Sequence, residues 1–339
     1  MRMGFSTGAC AAAATQAAAR LALGLAPRAL ESIAFPDGGL DALPVLWVCP
    51  LPEGAEAAVC KDAGDDPDIT HGSEIRVRLR WREDSRITFK AGIGVGTVTL
   101  PGLQIPAGQP AINPGPRHMM EVALRSLSQR GAELEVSIPG GVELAARTFN
   151  PRLGVRGGLS VLGTTGRVRP FSLEAIKATI AVALDVAWAA GYRKVALVPG
   201  HIGEKAARTH FELGPEQVVE VSNEWGFALE TAKKVGFTDF LVVGHPGKLA
   251  KLWMGHWDTH SSRSPSPIPQ VAELARDLTG RALFDLPTVE GLFQALDPQG
   301  QGLLTRELVQ RIHASVTALV ERPVTVALCT MDGRLWGAA

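Results

Sequence analysis

The stretch from Gly154 to Gly200 (GVRGGLSVLGTTGRVRPFSLEAIKATIAVALDVAWAAGYRKVALVPG) most narrows what this chain can fold into. Leu159 to Leu162 is a short apolar run flanked by glycines, the pattern of a buried strand. Gly163-Thr164-Thr165-Gly166 then turns the chain. Ser172 is suited to cap a helix, and Glu174 puts a negative charge in the first turn, where the helix dipole favours it. Apolar residues cover most of the helix predicted from Ala175 to Ala190, as expected for a helix lying on a sheet, and Gly191 suits the position just past its end. Lys194 to Val198 supplies the next strand. The whole reads as a βαβ unit, with its glycine turn at the carboxyl end of the first strand, where open α/β sheets take ligands.

The alternation continues downstream. Helices are predicted over 203–211, 224–235 and 248–254, strands over 217–221 and 239–243, and a closing strand over 324–329 after helical segments near 271–278, 289–296 and 305–320. Strands alternating with helices imply a parallel sheet covered on both faces. Residues 30–150 read instead as α+β. The expected fold class is therefore α/β in two domains: an α+β domain over 1–150 that starts with an Ala-rich helix, and a Rossmann-like parallel sheet with helices on both faces over 151–339. In the first domain, Ile75, Val77, Leu79 and Trp81 alternate with Arg76, Arg78, Arg80 and Arg82, which predicts a strand with one solvated face. Asp62 to Asp68 is an acidic run without calcium-loop spacing and reads as a solvated turn. Gly92, Gly94 and Gly96 form a GxGxG with no helix after it, so they mark a strand that a ligand or another backbone approaches closely.

Lys plus Arg and Asp plus Glu both total 34, a balance that argues against a general nucleic-acid binder or a polybasic membrane anchor. No apolar run approaches the roughly 20 residues of a membrane span. Ala11 to Leu23 lacks the Leu-rich core of a signal peptide and reads as a helix. Cys10, Cys49, Cys60 and Cys329 are scattered with no CxxC pair, which favours reduced thiols and a cytoplasmic location. The oligomeric state is left open, a homo-oligomer included.

Three loops are expected to open on one edge of the sheet: Gly163–Gly166, Pro199-Gly200-His201-Ile202-Gly203, and Gly244-His245-Pro246-Gly247-Lys248. Two carry a histidine, and His256, Asp258 and His260 follow closely. His245, His256 and His260 match no zinc spacing, so no metal is expected. The first turn lacks GxGxxG, Gly247-Lys248-Leu249 lacks the hydroxyl of a phosphate-binding loop, and no GxSxG occurs. What remains is an adenosine-containing ligand needing neither pyrophosphate nor magnesium, a choice that composition alone does not narrow further. At the N-terminus, Ser6-Thr7-Gly8 either cap a closely packed helix or present N–H and O–H groups to an anion.

RMGFSTGACAAAATQAA, AGIGVGTVTLPGL, GQPAINPGPRHM, RTFNPRLGVRGGLSVLGTTGRVRPFS, PGHIG, SNEWG and VVGHPGKLAKLWMGHWDTHS occur in that order. Across about residues 2–262 the chain resembles the CbiD family of cobalt-precorrin-5B (C1)-methyltransferases. That resemblance implies methyl transfer from S-adenosylmethionine to C1 of cobalt-precorrin-5B, giving cobalt-precorrin-6A. The expected roles are His245 or His260 as acid–base group, and Gly163, Thr164, Thr165, Gly166, Gly200 and Asn223 around the cofactor. Ser6, Thr7, Arg117, Arg152, Arg156 and Lys248 are expected to meet the acidic macrocycle. The competing readings are an NAD(P)-dependent tetrapyrrole reductase and a non-catalytic corrinoid-binding protein.

Overall fold

The computed structural model describes residues 1–283 and 286–338. It is a mixed α/β protein that divides into two units, Met1–Ser172 and Leu173–Ala339. Helix α1 (Thr7–Ala22) is the centre of the first unit. It is buried on every side from Thr7 to Arg20, because its alanines let neighbouring backbone come close. It packs on helix α2 (Pro114–Arg125) and on a sheet made of β1 (Trp47–Leu51), β2 (Gly54–Cys60), β3 (Glu74–Trp81), β4 (Ile87–Ala91) and β5 (Ala132–Ser137). The sheet order is β1-β2-β3-β5-β4, antiparallel except for the β4–β5 pair. Ile75, Val77 and Leu79 of β3 face the core, and the arginines between them lie on the other face. There Arg78 meets Glu56 and Glu135 at 3.0 and 3.5 Å, and Arg80 meets Glu133 at 3.5 Å. Each such cross-strand pair contributes roughly 0.2–1 kcal/mol.

The GxGxG segment is a turn with a single bridge at Val95 and not the expected strand, but neighbouring atoms do approach its glycines closely. A Cβ on Gly92, Gly94 or Gly96 would overlap Ser137, the Ile138 carbonyl or Val155. The acidic run is not simply a solvated turn, since Asp68 receives the buried Lys61 ammonium at 2.6 Å and Asp62 and Asp65 hold Arg2.

The second unit comprises α3 (Leu173–Ala189), β6 (Lys194–Val198), α4 (His201–His210), β7 (Val218–Glu220), α5 (Trp225–Val235), β8 (Asp239–Gly244), α6 (Pro246–Trp253), α7 (Ile268–Thr279), α8 (Val289–Gln294), α9 (Pro298–Val320), β9 (Val324–Cys329) and β10 (Leu335–Ala338). Its sheet has the order β7-β6-β8-β9-β10, parallel through β9 and closed by the antiparallel β10, which the sequence reading missed. Helix α4 packs with Ala196, Val198, Leu241 and Val243 on one face. Helices α3, α5, α6 and α9 share the larger core on the other, with Val195, Leu197, Phe240 and Val242.

The βαβ unit expected over 154–200 does not form. Leu159–Leu162 is not a strand of the parallel sheet. It lies in the first unit, where Leu159 bridges Val95 and Val161 bridges Ile112. Residues 151–172 therefore belong with the first unit, and α3 opens the second instead of joining two of its strands. The glycines of the 163–166 turn answer to packing. Gly163 (φ +125°) lies against Ser6 and Gly166 (φ +79°) against the Phe35 ring, each so close that a Cβ would overlap. Ser6 N donates to Gly166 O at 2.9 Å, Gly8 N to Leu162 O at 3.0 Å, and Gly4–Phe5 pair with Arg167–Val168. This turn closes the first unit and is not a loop that follows a strand of the parallel sheet.

Gly163→Val should accordingly destabilise the protein by at least about 2 kcal/mol, from left-handed strain together with overpacking. Urea unfolding measures this, and a midpoint equal to wild type would contradict the closure role.

Candidate functional site

Because β6, β7, β8 and β9 run parallel, their carboxyl ends share one edge of the second unit's sheet. The loop after β6 leads into α4 on one face, and the loop after β8 leads into α6 on the other. Chains that leave neighbouring strands toward opposite faces open a crevice between them, the usual ligand position in such sheets.

At this edge Val198, the last residue of β6, is paired with Glu220, the last residue of β7. The Glu220 carboxylate lies over Gly200, where a Cβ would sit 3.4 Å from Oε1. Lys248, in the first turn of α6, sends Nζ to the Ser222 carbonyl at 3.4 Å. Burial lowers the Lys248 pKa and the neighbouring Lys251 charge adds to this, while Glu220 opposes the shift. Ser222 holds φ +54°, a left-handed bend that ends the β7 segment.

The next residues tie two motifs together. Thr259 Oγ1 donates to Asn223 Oδ1 at 3.2 Å, and Thr259 N to Asn223 O at 3.1 Å. Glu224, nearly buried, faces Lys177 at 3.6 Å and Arg263 at 3.4 Å, and Arg263 also meets Asp258 at 2.6 Å. Lys251 is buried and donates to Thr259 O and Ser264 Oγ, so it fixes the 259–264 loop from below. Glu220, Glu224 and Arg263 are absent from the residues singled out in the sequence. For Glu220 the signal was present: an acid at a strand end about 20 residues after a glycine turn.

The two histidines are constrained in the same way. His245 caps α6, its Nδ1 accepting from Gly247 N at 3.1 Å, and its Nε2 lies 3.5 Å from Glu290. Burial lowers its pKa, and the Glu290 carboxylate opposes this. The neutral ring therefore carries its proton on Nε2. In His260, Nδ1 accepts from Ser262 N at 3.2 Å and has Ser262 Oγ at 2.8 Å, so this exposed ring also presents Nε2–H. As held, neither imidazole offers a free lone pair, which removes the ground on which a general-base role was expected of them.

The remaining predicted residues lie in the first unit. Ser6 and Thr7 are buried; Ser6 Oγ accepts from Ala9 N, and Thr7 Oγ1 accepts from Leu162 N at 2.9 Å. These hydroxyls cap and close the helix start and do not face outward to an anion. Arg117 donates to the Ile112 and Pro110 carbonyls and lies over Phe89, holding the proline-rich loop before α2. Arg152 stacks on Phe149, while Arg156, Thr164 and Thr165 are exposed. Among the described residues no three His, Cys, Asp or Glu side chains form a metal-binding group, and no helix is long and apolar enough to cross a membrane.

Comparison with known proteins gives the family first. The CbiD family model matches residues 1–170, and the chain belongs to that family. A relative from Syntrophotalea carbinolica, named cobalt-precorrin-5B C(1)-methyltransferase, is 50% identical over 99% of this chain and 96% of its own. One of the same name from Moorella thermoacetica is 44% identical, covering 99% and 94% respectively. The crystal structure of a cobalamin biosynthesis protein (cbiD) from Archaeoglobus fulgidus is 27% identical, covers 78% of this chain and 83% of that one, and superposes with a TM-score of 0.41.

The cap predicts how His245 behaves. His245→Ala should cost about 1 kcal/mol of stability and His245→Asn much less, since asparagine also caps. A histidine whose pKa is depressed on folding stabilises above its unfolded value of about 6.5, and that contribution is lost as pH falls. The stability difference between wild type and His245→Asn should therefore shift against wild type between pH 7.5 and 5.5. Urea midpoints at both values check this, and a pH-independent difference would contradict it.

Proposed function

We propose that the chain transfers the methyl group of S-adenosylmethionine to C1 of cobalt-precorrin-5B, giving cobalt-precorrin-6A. The observation that carries this reading is 50% identity over nearly the whole chain to a protein named for that methylation. The parallel sheet of the second unit, read as Rossmann-like, offers a crevice at its carboxyl edge of the kind that takes nucleosides. We place the donor there, against Gly200 and near Asn223, instead of on the 163–166 turn.

The chemistry asks for positioning. As the macrocycle carbon forms its bond to the methyl group, the carbon–sulfur bond breaks and its electron pair stays on sulfur, leaving a neutral thioether. Holding donor and acceptor in line supplies most of what such a displacement needs. Of the two histidines, His260 then acts as an N–H donor from an exposed position, while the His245 N–H faces the Glu290 carboxylate. Lys248, its charge part-buried, is assigned to a carboxylate of the macrocycle.

The test is incubation with cobalt-precorrin-5B and methyl-labelled S-adenosylmethionine, without added nicotinamide. Label is expected at C1, with one S-adenosylhomocysteine released per methyl transferred. Unlabelled macrocycle would overturn the reading, and nicotinamide oxidation in its place would support the reductase alternative.

A further inference from the structure

Phe171, near the end of the first unit, combines an unfavourable backbone with an unburied ring. Its φ of +55° lies in the left-handed region, which a bulky residue rarely adopts and glycine takes freely. Its side chain is 69% exposed. The backbone around it is nevertheless held. Just upstream, Arg167–Val168 pair with Gly4–Phe5. At Phe171 itself, the amide donates to Asp66 Oδ2 at 3.2 Å, across 105 residues of chain. One acid of the 62–68 run thus fixes this bend.

The turn accounts for the bend and not for the side chain, since glycine would make the same turn without strain. Packing does not account for it either. A residue just ahead of a helix often staples onto the helix's first turns, which buries it, whereas the Phe171 ring stays in solvent. Arg169, two residues earlier, is also exposed and forms no ion pair among the described residues. Its neighbour Arg167, in contrast, meets Asp41 at 2.9 Å and lies over Phe35. Pro170 stiffens the link between Arg169 and Phe171. The segment therefore presents a phenyl face and an unpaired guanidinium from a fixed backbone. That pair suits a ligand with a broad apolar ring face and an acidic rim, the ring against the phenyl and a carboxylate on the guanidinium. A tetrapyrrole macrocycle carrying acetate and propionate arms has both features. S-adenosylmethionine brings a single carboxylate on a flexible tail.

We propose that Arg169-Pro170-Phe171 is a docking segment for the macrocycle, with Phe171 against the ring face and Arg169 on one of its carboxylates. The assignment rests on the methyl-transfer reading above and concerns the acceptor alone, so it leaves donor binding unchanged.

Three measurements on the full chain test this: methyl-transfer kinetics with cobalt-precorrin-5B varied, calorimetry with S-adenosylhomocysteine, and thermal unfolding without ligand. Phe171→Gly should raise KM for the macrocycle about tenfold, from the lost ring contact. Its kcat and its S-adenosylhomocysteine affinity should stay within about twofold of wild type. Its melting temperature should be equal or higher, because glycine relieves the left-handed bend. Arg169→Gln should raise KM by roughly fivefold and flatten its dependence on salt, and Arg169→Lys should recover part of both. A lowered melting temperature in Phe171→Gly would make the ring a packing residue and overturn the proposal. A wild-type KM in either Phe171→Gly or Arg169→Gln would also overturn it, while turnover by wild type would leave the methyl-transfer reading standing. If wild type transfers no methyl, both fail.

Discussion

Parallel strands cannot be joined by tight turns; each needs a crossover that returns the chain to the starting edge. In the second unit this constraint makes β6, β7 and β8 release their chains at one edge, within reach of each other although distant in sequence. The strand order β7-β6-β8 then sends successive crossovers to opposite faces. The juxtaposition of Gly200, Glu220, Ser222 and Lys248 follows from those two facts. No local motif has to encode it.

The first unit solves a different problem. A helix of alanines buries little side chain, so its stability comes from close backbone approach and from satisfying its ends. The 162–168 segment provides both. It takes the amides of Ser6 and Gly8 and engages the Thr7 hydroxyl, while the buried Arg20–Glu31 pair, 2.9 Å apart, joins the far end to the neighbouring strand segment. Breaking such a pair by removing one partner costs roughly 3–5 kcal/mol, which makes it a strong constraint on register. Polar groups that look available in the sequence are in this unit occupied by the fold.

Much of the second unit was legible. The expected helix over 224–235 is observed as Trp225–Val235, and the strand over 324–329 as Val324–Cys329. Apolar runs bounded by Gly, Pro and capping residues suffice for that. What a run cannot encode is its partner. Leu159–Leu162 has the composition of a buried strand, yet its neighbours are Val95 and Ile112, which are far away in sequence. Glycine is ambiguous for a related reason: at 163 and 166 it relieves overlap with Ser6 and Phe35, and at 200 nothing in the fold requires it. Only the positions of surrounding atoms separate those cases. The histidines were legible as residues near the edge, but the tautomer that each backbone amide imposes was not.

The central claim is that the methyl donor lies on the carboxyl edge of the second unit's sheet. Hydrogen–deuterium exchange of the full chain, with and without saturating S-adenosylhomocysteine, tests it most directly. Protection is predicted in peptides covering 199–203, 220–224 and 245–248, with 4–9 and 162–166 unchanged. Protection confined to 4–9 and 162–166 would contradict the account and return the donor to the glycine turn of the first unit.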